Sequence, residues 1–246
     1  MNNNNETLSK MSKMRLYGMA KAFENMLTTS SRMDLTIDEA ITHLIDSEWD
    51  DKHKRRLDRL IKGARFRYKA SLDEIEYTSE RGLDKNQILR LSNCCWIDNG
   101  EDILITGATG VGKSFIGTAL GYQACNYGYS VGYFSSSRIF NELTHGKKDG
   151  TYIKTLQRIM RKQVLIFDDF GLEKLNQVSR MALLEIIEER HKVKPTIIIT
   201  QLPVPLWHEA IGEPTIADAI MDRLVYNSHR IDLKGESIRK KKQVIY

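Results

Sequence analysis

Cysteine is scarce in this chain of 246 residues, and two of its three cysteines, Cys94 and Cys95, are adjacent. Adjacent cysteines suit neither a disulfide framework nor the C-x-x-C spacing of a zinc site. Long apolar runs are also missing, which argues against a membrane-spanning helix and against a membrane partner. The first residues lack the basic and then apolar order of a signal peptide, so we expect a cytoplasmic protein.

A strong excess of either charge is missing as well. The formal net charge is +5, with 41% hydrophobic and 28% charged residues. These values are typical of a globular protein with a real core, and the length allows one α/β domain plus a smaller element. The small positive excess does not by itself indicate a nucleic-acid partner, so the position of the basic residues matters more than their sum.

A glycine-rich segment at residues 107–114 fills every fixed position of the phosphate-loop pattern G-x-x-x-x-G-K-S/T. An apolar run of strand character precedes it, and a helical apolar pattern follows it. In this order, loop N–H groups cradle phosphate oxygens at a helix N-terminus, and the lysine reaches the β- and γ-phosphates. The sequence therefore predicts ATP binding by Gly107, Ala108, Thr109, Gly110, Val111, Gly112, Lys113, Ser114 and Phe115, with Lys113 also catalytic.

A second motif lies about 55 residues further on, where Val164–Phe167 are apolar and two acids follow. Such a run indicates a strand buried in a parallel sheet, and its acids fall at the end where these sheets bind ligands. An apolar strand that ends in two acids is common, but its position after a phosphate loop favours a functional acid pair over a purely structural strand end. We expect Ser114 and Asp168 to hold Mg²⁺ and Asp169 to polarise the attacking water.

A third apolar run, residues 195–203, ends in the polar pair Thr200 and Gln201. We expect the carboxyl end of this strand to lie beside the γ-phosphate, and we propose Thr200 as a catalytic residue. Spacing alone does not decide whether Thr200 or Gln201 faces the nucleotide. The alternation of strand and helix patterns predicts an open, mainly parallel sheet of five strands with helices on both faces.

The first part of the chain shows helix patterns without strands, including a capping box at Thr36 to Glu39. Residues 52–69 hold nine Lys or Arg against one acid. Phe66 and Tyr68 could add stacking, so we interpret this segment as a surface for DNA backbone phosphates, with a solvated helix face as the alternative. A basic loop at 145–150 is a second candidate. The predicted DNA-binding residues are Lys52, Lys54, Arg55, Arg56, Arg59, Arg65, Arg67, Lys147 and Lys148.

The three motifs together resemble AAA+ ATPases, and the segments 202–208, 214–225 and 228–240 resemble IstB-type transposition ATPases in particular. The resemblance implies a P-loop AAA+ core at 71–246 without a C-terminal helical lid. It is preceded at 1–70 by a small, basic, all-helical domain for DNA or partner binding and oligomerisation. It also implies a helper of insertion-sequence transposition that uses ATP and Mg²⁺, assembles with copies of itself on double-stranded DNA, and recruits the cognate transposase.

Two further functions remain open beside this one. DnaC-type helicase loaders share the AAA+ core, and a nucleotide-gated DNA-binding regulator would hardly hydrolyse ATP. The resemblance places Arg223 in the segment that supplies an arginine to the γ-phosphate of a neighbouring subunit, with a pairing to Asp218 or Asp222 as the alternative. Many AAA+ proteins have Glu at the position of Asp169, and the shorter side chain implies slow turnover and a switch-like use of ATP. We also expect DNA to stimulate the ATPase. The role of Arg239 as a second sensor stays open.

Overall fold

The division between the two compact units of the chain falls inside a long helix. The computed structural model describes residues 3–29 and 35–238, and the units are Met1–Arg59 and Leu60–Tyr246. Residues 60–70, which were predicted to belong to the basic N-terminal domain, group with the second unit. The functional division into domains 1–70 and 71–246 stays a prediction.

The described residues form helices and strands in the order expected for an α/β core that follows a helical segment. No helix among them combines the length and apolar character needed to cross a membrane. The helices are α1 (Asn3–Lys13), α2 (Tyr17–Thr29), α3 (Ile37–Ala64), α4 (Lys85–Ser92), α5 (Cys95–Asp98), α6 (Lys113–Asn126), α7 (Ser136–Asp149), α8 (Tyr152–Met160), α9 (Gln177–Arg190), α10 (Trp207–Ile211) and α11 (Pro214–Val225). The strands are β1 (Asp102–Gly107), β2 (Val131–Ser135), β3 (Val164–Phe170), β4 (Thr196–Thr200) and β5 (Ser228–Leu233).

The five strands form one parallel sheet in the order β2-β3-β4-β1-β5. The central strands are buried on both faces, which explains why β3 and β4 consist of continuous apolar runs. Ser135 of β2 pairs with Asp168 of β3, so the carboxyl ends of these neighbouring strands lie side by side. The predicted five-stranded parallel sheet is confirmed. The residues of the candidate site lie at the carboxyl ends of its strands.

The N-terminal unit is helical in its described part, as predicted. Helices α2 and α3 pack closely at Gly18, where an added Cβ would lie 2.3 Å from the carbonyl oxygen of Ser47. The predicted capping box begins α3: the Thr36 N–H donates to Glu39 over 2.8 Å, and the Glu39 N–H donates to the Thr36 hydroxyl over 3.3 Å. Local sequence signals were therefore sufficient to place the start of this helix.

The predicted basic loop at residues 145–150 is wrong. Helix α7 continues to Asp149, so Lys147 and Lys148 occupy its last turn. The helix ends only at Gly150, which has φ +80°. The helix continues through Gly146, where an added Cβ would lie 2.9 Å from the backbone nitrogen of Tyr152. Close packing of α7 on the start of α8 explains this glycine.

A buried arginine and a buried aspartate lie near the amino ends of the strands, opposite the candidate site. The Arg190 guanidinium is 2% exposed and donates to the carbonyl oxygens of Lys162, Gln163 and Pro195. Asp102 accepts a hydrogen bond of 2.6 Å from the Thr196 N–H. Burial raises the pKa of Asp102 to about 7, and the hydrogen bond and Arg190 only partly offset this effect.

Residues 234–238 follow β5 and lie against the phosphate loop. The Ile238 N–H donates a 3.0 Å hydrogen bond to the carbonyl oxygen of Gly110, and the Lys234 N–H donates to that of Arg81 over 2.9 Å. Arg239 and the segment after it, where no helical lid was expected, lie outside the described residues.

Candidate active site

The phosphate loop connects the end of β1 to the first turn of α6. Gly110 and Gly112 have φ values of +84° and +98°, which an L-residue rarely adopts. Gly110 is also constrained by packing, because an added Cβ would lie 2.1 Å from the Ser237 hydroxyl oxygen. The glycines thus allow both the turn of the loop and the close approach of residues 237–238.

Lys113 and Arg81 both bond to the backbone of this loop. The Lys113 ammonium is buried and donates to the Ala108 carbonyl oxygen over 2.7 Å. The Arg81 guanidinium donates to the carbonyl oxygens of Val111 over 2.9 Å and Glu76 over 2.6 Å. Lys113 was predicted from the motif, whereas no local pattern in the sequence indicated Arg81. The loop is therefore held by a basic side chain from each of two segments.

Asp168 joins the two predicted motifs directly. Its carboxylate is 1% exposed, and Oδ1 accepts hydrogen bonds from the Ser114 hydroxyl over 3.0 Å and from the Asp169 N–H over 2.9 Å. The hydroxyl of Tyr133 donates to Oδ2. A hydroxyl and a carboxylate in contact at the start of α6 provide the hard oxygen donors that Mg²⁺ prefers, so these residues fit a magnesium site.

Asp169 has a different environment from its neighbour. Its φ is +58°, and the pairing of β3 with β4 is irregular between Phe167 and Phe170. This turn in the backbone brings Asp169 to the wall of a cavity of about 540 Å³, which Arg65, Arg67 and Arg138 also line. Asp168 also lines this cavity, so the adjacent acids differ in burial: Asp168 is almost fully buried beside Ser114, whereas Asp169 is only partly buried.

Thr200 and Gln201 differ in what they contact. Thr200 is fully buried, donates its hydroxyl proton to the Phe170 carbonyl oxygen over 2.7 Å, and accepts from the Leu202 N–H. A phosphate oxygen can only accept, so Thr200 would have to break this bond to contact one. Gln201 instead accepts a 2.6 Å hydrogen bond from the hydroxyl of Thr109 in the phosphate loop. This geometry favours Gln201 as the residue beside the nucleotide.

Arg223 lies on α11 and is bound to two groups within the chain. Its guanidinium donates to the Ala219 carbonyl oxygen over 2.7 Å and to the Glu188 carboxylate of α9 over 3.0 Å. The pairing with Asp218 or Asp222, considered from the sequence, is replaced by this contact between helices. The side chain remains 29% exposed, which leaves it accessible to a second chain.

The predicted DNA-binding residues fall into three groups. Those on α3 lie in the first unit, where Lys52 and Arg55 pair with Glu48 at 3.4 and 3.5 Å, and Arg55 also pairs with Asp51 at 2.7 Å. Lys54, Arg56 and Arg59 are exposed on the same helix. In the second unit, Arg65 and Arg67 line the cavity beside Asp169, whereas Lys147 and Lys148 lie at the end of α7.

Phe66 and Tyr68, which were expected to be able to stack on DNA, pack inside the second unit. The Phe66 ring stacks on Tyr122 with centroids 4.5 Å apart. The Tyr68 ring lies parallel to that of Phe115 at 6.4 Å. Both contacts attach the segment after α3 to the phosphate-loop helix α6. Residues 65–68 of the basic segment therefore border the candidate site, with Arg65 and Arg67 at the cavity and the two aromatic rings against α6.

Comparison with known proteins identifies the family. The family of IstB-like ATP binding proteins matches residues 9–245. This chain belongs to that family. An insertion sequence ATP-binding protein of Sinorhizobium fredii, y4pL, is 44% identical over 234 residues, which cover 95% of this chain and 96% of the relative. The insertion sequence IS21 ATP-binding protein of Pseudomonas aeruginosa is 25% identical, with 95% of this chain and 88% of the relative covered.

Solved structures support the fold of this IstB-like protein. DnaI superimposes with a TM-score of 0.57 at 22% identity, over 71% of this chain and 94% of that chain. The DnaC helicase loader superimposes with a TM-score of 0.55 at 21% identity, over 67% of this chain and 97% of that chain. The predicted P-loop AAA+ core is confirmed, together with the resemblance to IstB-type proteins.

Proposed function

We propose that this IstB-like protein is an ATPase that serves insertion-sequence transposition. The observation that carries the proposal is the hydrogen bond from Ser114 to Asp168, because it brings the two nucleotide motifs into contact in a chain of an ATP-binding family. The buried ammonium of Lys113 lies against the same loop and provides the positive charge for the β- and γ-phosphates.

Each residue of the site has a distinct proposed task. Ser114 and Asp168 would hold Mg²⁺, which would supply positive charge to neutralise the phosphates. Asp169 faces the cavity and accepts a proton from the attacking water. Gln201 can donate from its amide nitrogen to that water or to the γ-phosphate, while its oxygen remains bonded to Thr109.

Two variants separate nucleotide binding from hydrolysis. Lys113→Ala removes the cation at the phosphates, so we expect it to lose ATP binding. Asp169→Asn keeps the size of the side chain but cannot take up a proton, so we expect normal ATP binding with at least about 100-fold slower phosphate release. Fluorescent-nucleotide titration and a phosphate-release assay measure the pair. Hydrolysis by Asp169→Asn at the parent rate would refute its role as the base.

The second part of the proposal concerns DNA and partners. We propose that the protein binds double-stranded DNA through its basic residues, assembles with copies of itself when ATP is bound, and recruits the transposase of its insertion sequence. Support comes from the family, from relatives named as insertion sequence ATP-binding proteins, and from Arg65 and Arg67 at the cavity beside Asp169.

A helicase loader is the second candidate function, because the DnaI and DnaC structures share this fold. Affinity capture on DNA with ATP, from cells that hold both the replicative helicase and the transposase, separates the two. Retention of the transposase supports our proposal, and retention of the helicase alone supports the loader. A nucleotide-gated regulator would instead bind DNA only with ATP and release no phosphate above the level of the Asp169→Asn variant.

A further inference from the structure

Tyr133 contacts the proposed magnesium site, although it belongs to neither nucleotide motif. It lies on β2 and pairs with Ile166 of β3, so its side chain stands beside the end of the acid-bearing strand. The side chain is 9% exposed, and its hydroxyl donates a hydrogen bond to Asp168 Oδ2. No local sequence pattern indicated this contact, because the two residues are 35 positions apart.

We propose that Tyr133 is a positioning residue that fixes the Asp168 carboxylate for Mg²⁺ and ATP. The inference rests on the proposed magnesium site at Ser114 and Asp168. Ser114 and the Asp169 N–H both donate to Oδ1. Tyr133 donates to the other oxygen, so hydrogen bonds on both sides of the carboxylate prevent its rotation. Oδ1 thereby stays directed at the hydroxyl of Ser114.

The burial of Asp168 makes this donor difficult to replace. A carboxylate oxygen that loses its donor at a buried position must find another partner or remain unsatisfied, which costs free energy. Asp168 is 1% exposed and lines, together with Tyr133, the cavity beside Asp169, so a replacement donor would have to enter through that cavity. Rotation toward a new donor would move Oδ1 away from Ser114. Loss of the phenol hydroxyl should therefore disturb the metal site more than the fold.

The phenol is itself held in place by packing. The Phe66 ring meets the Tyr133 ring edge-on with centroids 6.2 Å apart, and β2 is hydrogen-bonded to β3 along its length. β2 is an edge strand of the sheet, but the Tyr133 side chain has few torsions through which to move, and the ring contact and the pairing with β3 restrict these. The hydroxyl is thus a rigid donor, as expected of a residue that orients a metal-binding carboxylate.

The test is the Mg²⁺ requirement of ATP binding in Tyr133→Phe, measured with a fluorescent ATP analogue. Partners that orient metal ligands typically change metal affinity by about 10- to 100-fold when removed. We expect the Mg²⁺ concentration for half-maximal tight binding to rise at least about 10-fold, with affinity in EDTA within about 2-fold of the parent. A purely structural role would lower the melting temperature without changing this Mg²⁺ requirement, and that result would overturn the proposal.

Tyr129→Phe is the matched control, because it also removes a tyrosine–aspartate hydrogen bond, the 2.8 Å contact from Tyr129 to Asp98. We expect its Mg²⁺ requirement to equal that of the parent. Asp168→Asn tests the metal site itself: if that variant and the parent respond alike to Mg²⁺, the proposed magnesium site fails, and the role of Tyr133 fails with it.

The double variant Tyr133→Phe/Asp168→Asn provides a second test, because it shows whether loss of the phenol hydroxyl has an effect once the Asp168 carboxylate is gone. If Tyr133 acts through Asp168, the two changes are not additive, and the double variant needs no more Mg²⁺ than Asp168→Asn alone. A further increase of about 10-fold in the double variant would show that Tyr133 acts by another route and would overturn the proposal.

Discussion

The hydroxyl of Thr109 donates a 2.6 Å hydrogen bond to the side-chain oxygen of Gln201, linking the phosphate loop to the end of β4 across 92 residues of sequence. Thr200, one residue earlier, directs its proton to Phe170 instead. Neighbouring polar residues at one strand end therefore have separate tasks. Thr200 closes the turn after β3 and β4, and Gln201 contacts the loop that would hold the phosphates.

Because Gln201 and Thr200 have different contacts, we expect substitution of Gln201 to affect turnover and substitution of Thr200 to affect stability. Gln201→Ala should bind ATP but release phosphate about 10- to 100-fold more slowly, because it lacks a donor beside the γ-phosphate. Thr200→Val should lower the melting temperature, because it leaves buried backbone groups unpaired, with the rate per folded molecule near the parent value. Phosphate release at saturating ATP and a thermal melt measure both. Loss of turnover in Thr200→Val alone would restore Thr200 as the catalytic residue.

Contiguous motifs account for what the sequence could predict. The loop at Lys113, the buried strand ending at Asp168 and the parallel sheet follow from short patterns in which residue type and spacing are tied to backbone geometry. The capping box at Thr36 was equally local. These features need no knowledge of how distant segments pack.

The remaining features depend on contacts between segments far apart in the sequence. Tyr133 reaches Asp168 because β2 lies beside β3, and Arg81 reaches Val111 across 30 residues. Phe66 was interpreted as a DNA-stacking residue because its neighbours are basic. Its ring stacks instead on Tyr122 of α6. A pattern of residue types does not distinguish an aromatic ring that binds a ligand from one that packs inside.

The arginines at the cavity predict a change in the salt dependence of DNA binding. Each phosphate contact that is lost removes about one unit from the slope of log affinity against log salt concentration. Arg65→Ala/Arg67→Ala should therefore flatten the slope by about 2 on unrelated duplexes alike, with ATP binding retained. The charge-matched control Arg90→Ala/Arg230→Ala replaces two exposed arginines outside the predicted set. Equal slopes for both double variants in a filter-binding titration would exclude these phosphate contacts.

The raised pKa of Asp102 predicts that the free energy of unfolding depends on pH. Burial raises its pKa from 3.8 to about 7, so the folded protein binds this proton more tightly than the unfolded chain does. The resulting stabilisation is complete below pH ~4 and is lost as the pH rises to ~7, at up to about 1.4 kcal/mol per pH unit. Asp102→Asn stays neutral and still accepts from the Thr196 N–H.

Thermal melts of the parent and of Asp102→Asn between pH 4 and pH 8 measure this effect. Because other carboxyl groups titrate in both proteins, the difference between the two melting temperatures isolates position 102. We expect the variant to gain stability relative to the parent as the pH rises, by about 2–4 °C for each kcal/mol. A difference that stays constant across this range would show that Asp102 is already charged in the folded protein at low pH.

Arg223 of α11 and Glu188 of α9 form an ion pair that joins the two helices. An exposed ion pair of this kind contributes less than about 1 kcal/mol, so the γ-phosphate of a neighbouring subunit could displace Glu188. A guanidinium supplied to a transferring phosphoryl group accelerates related hydrolases by about 10³-fold or more. Arg223→Ala should therefore bind ATP as a single subunit but fail to hydrolyse it or to assemble on DNA.

Mixing variants decides whether Arg223 acts across a subunit boundary. Arg223→Ala keeps an intact phosphate loop and Lys113→Ala keeps an intact arginine, so adjacent subunits of the two kinds would form one complete site. Part of the ATPase activity should return on mixing. Glu188→Gln is the matched control, because it breaks the same ion pair but retains the arginine, and we expect it to remain active alone. Two results together would contradict this role: Glu188→Gln as inactive as Arg223→Ala, and no recovery of ATPase activity at any mixing ratio in variants that co-assemble. Arg223 would then stabilise the packing of α9 on α11 and would not act on the nucleotide.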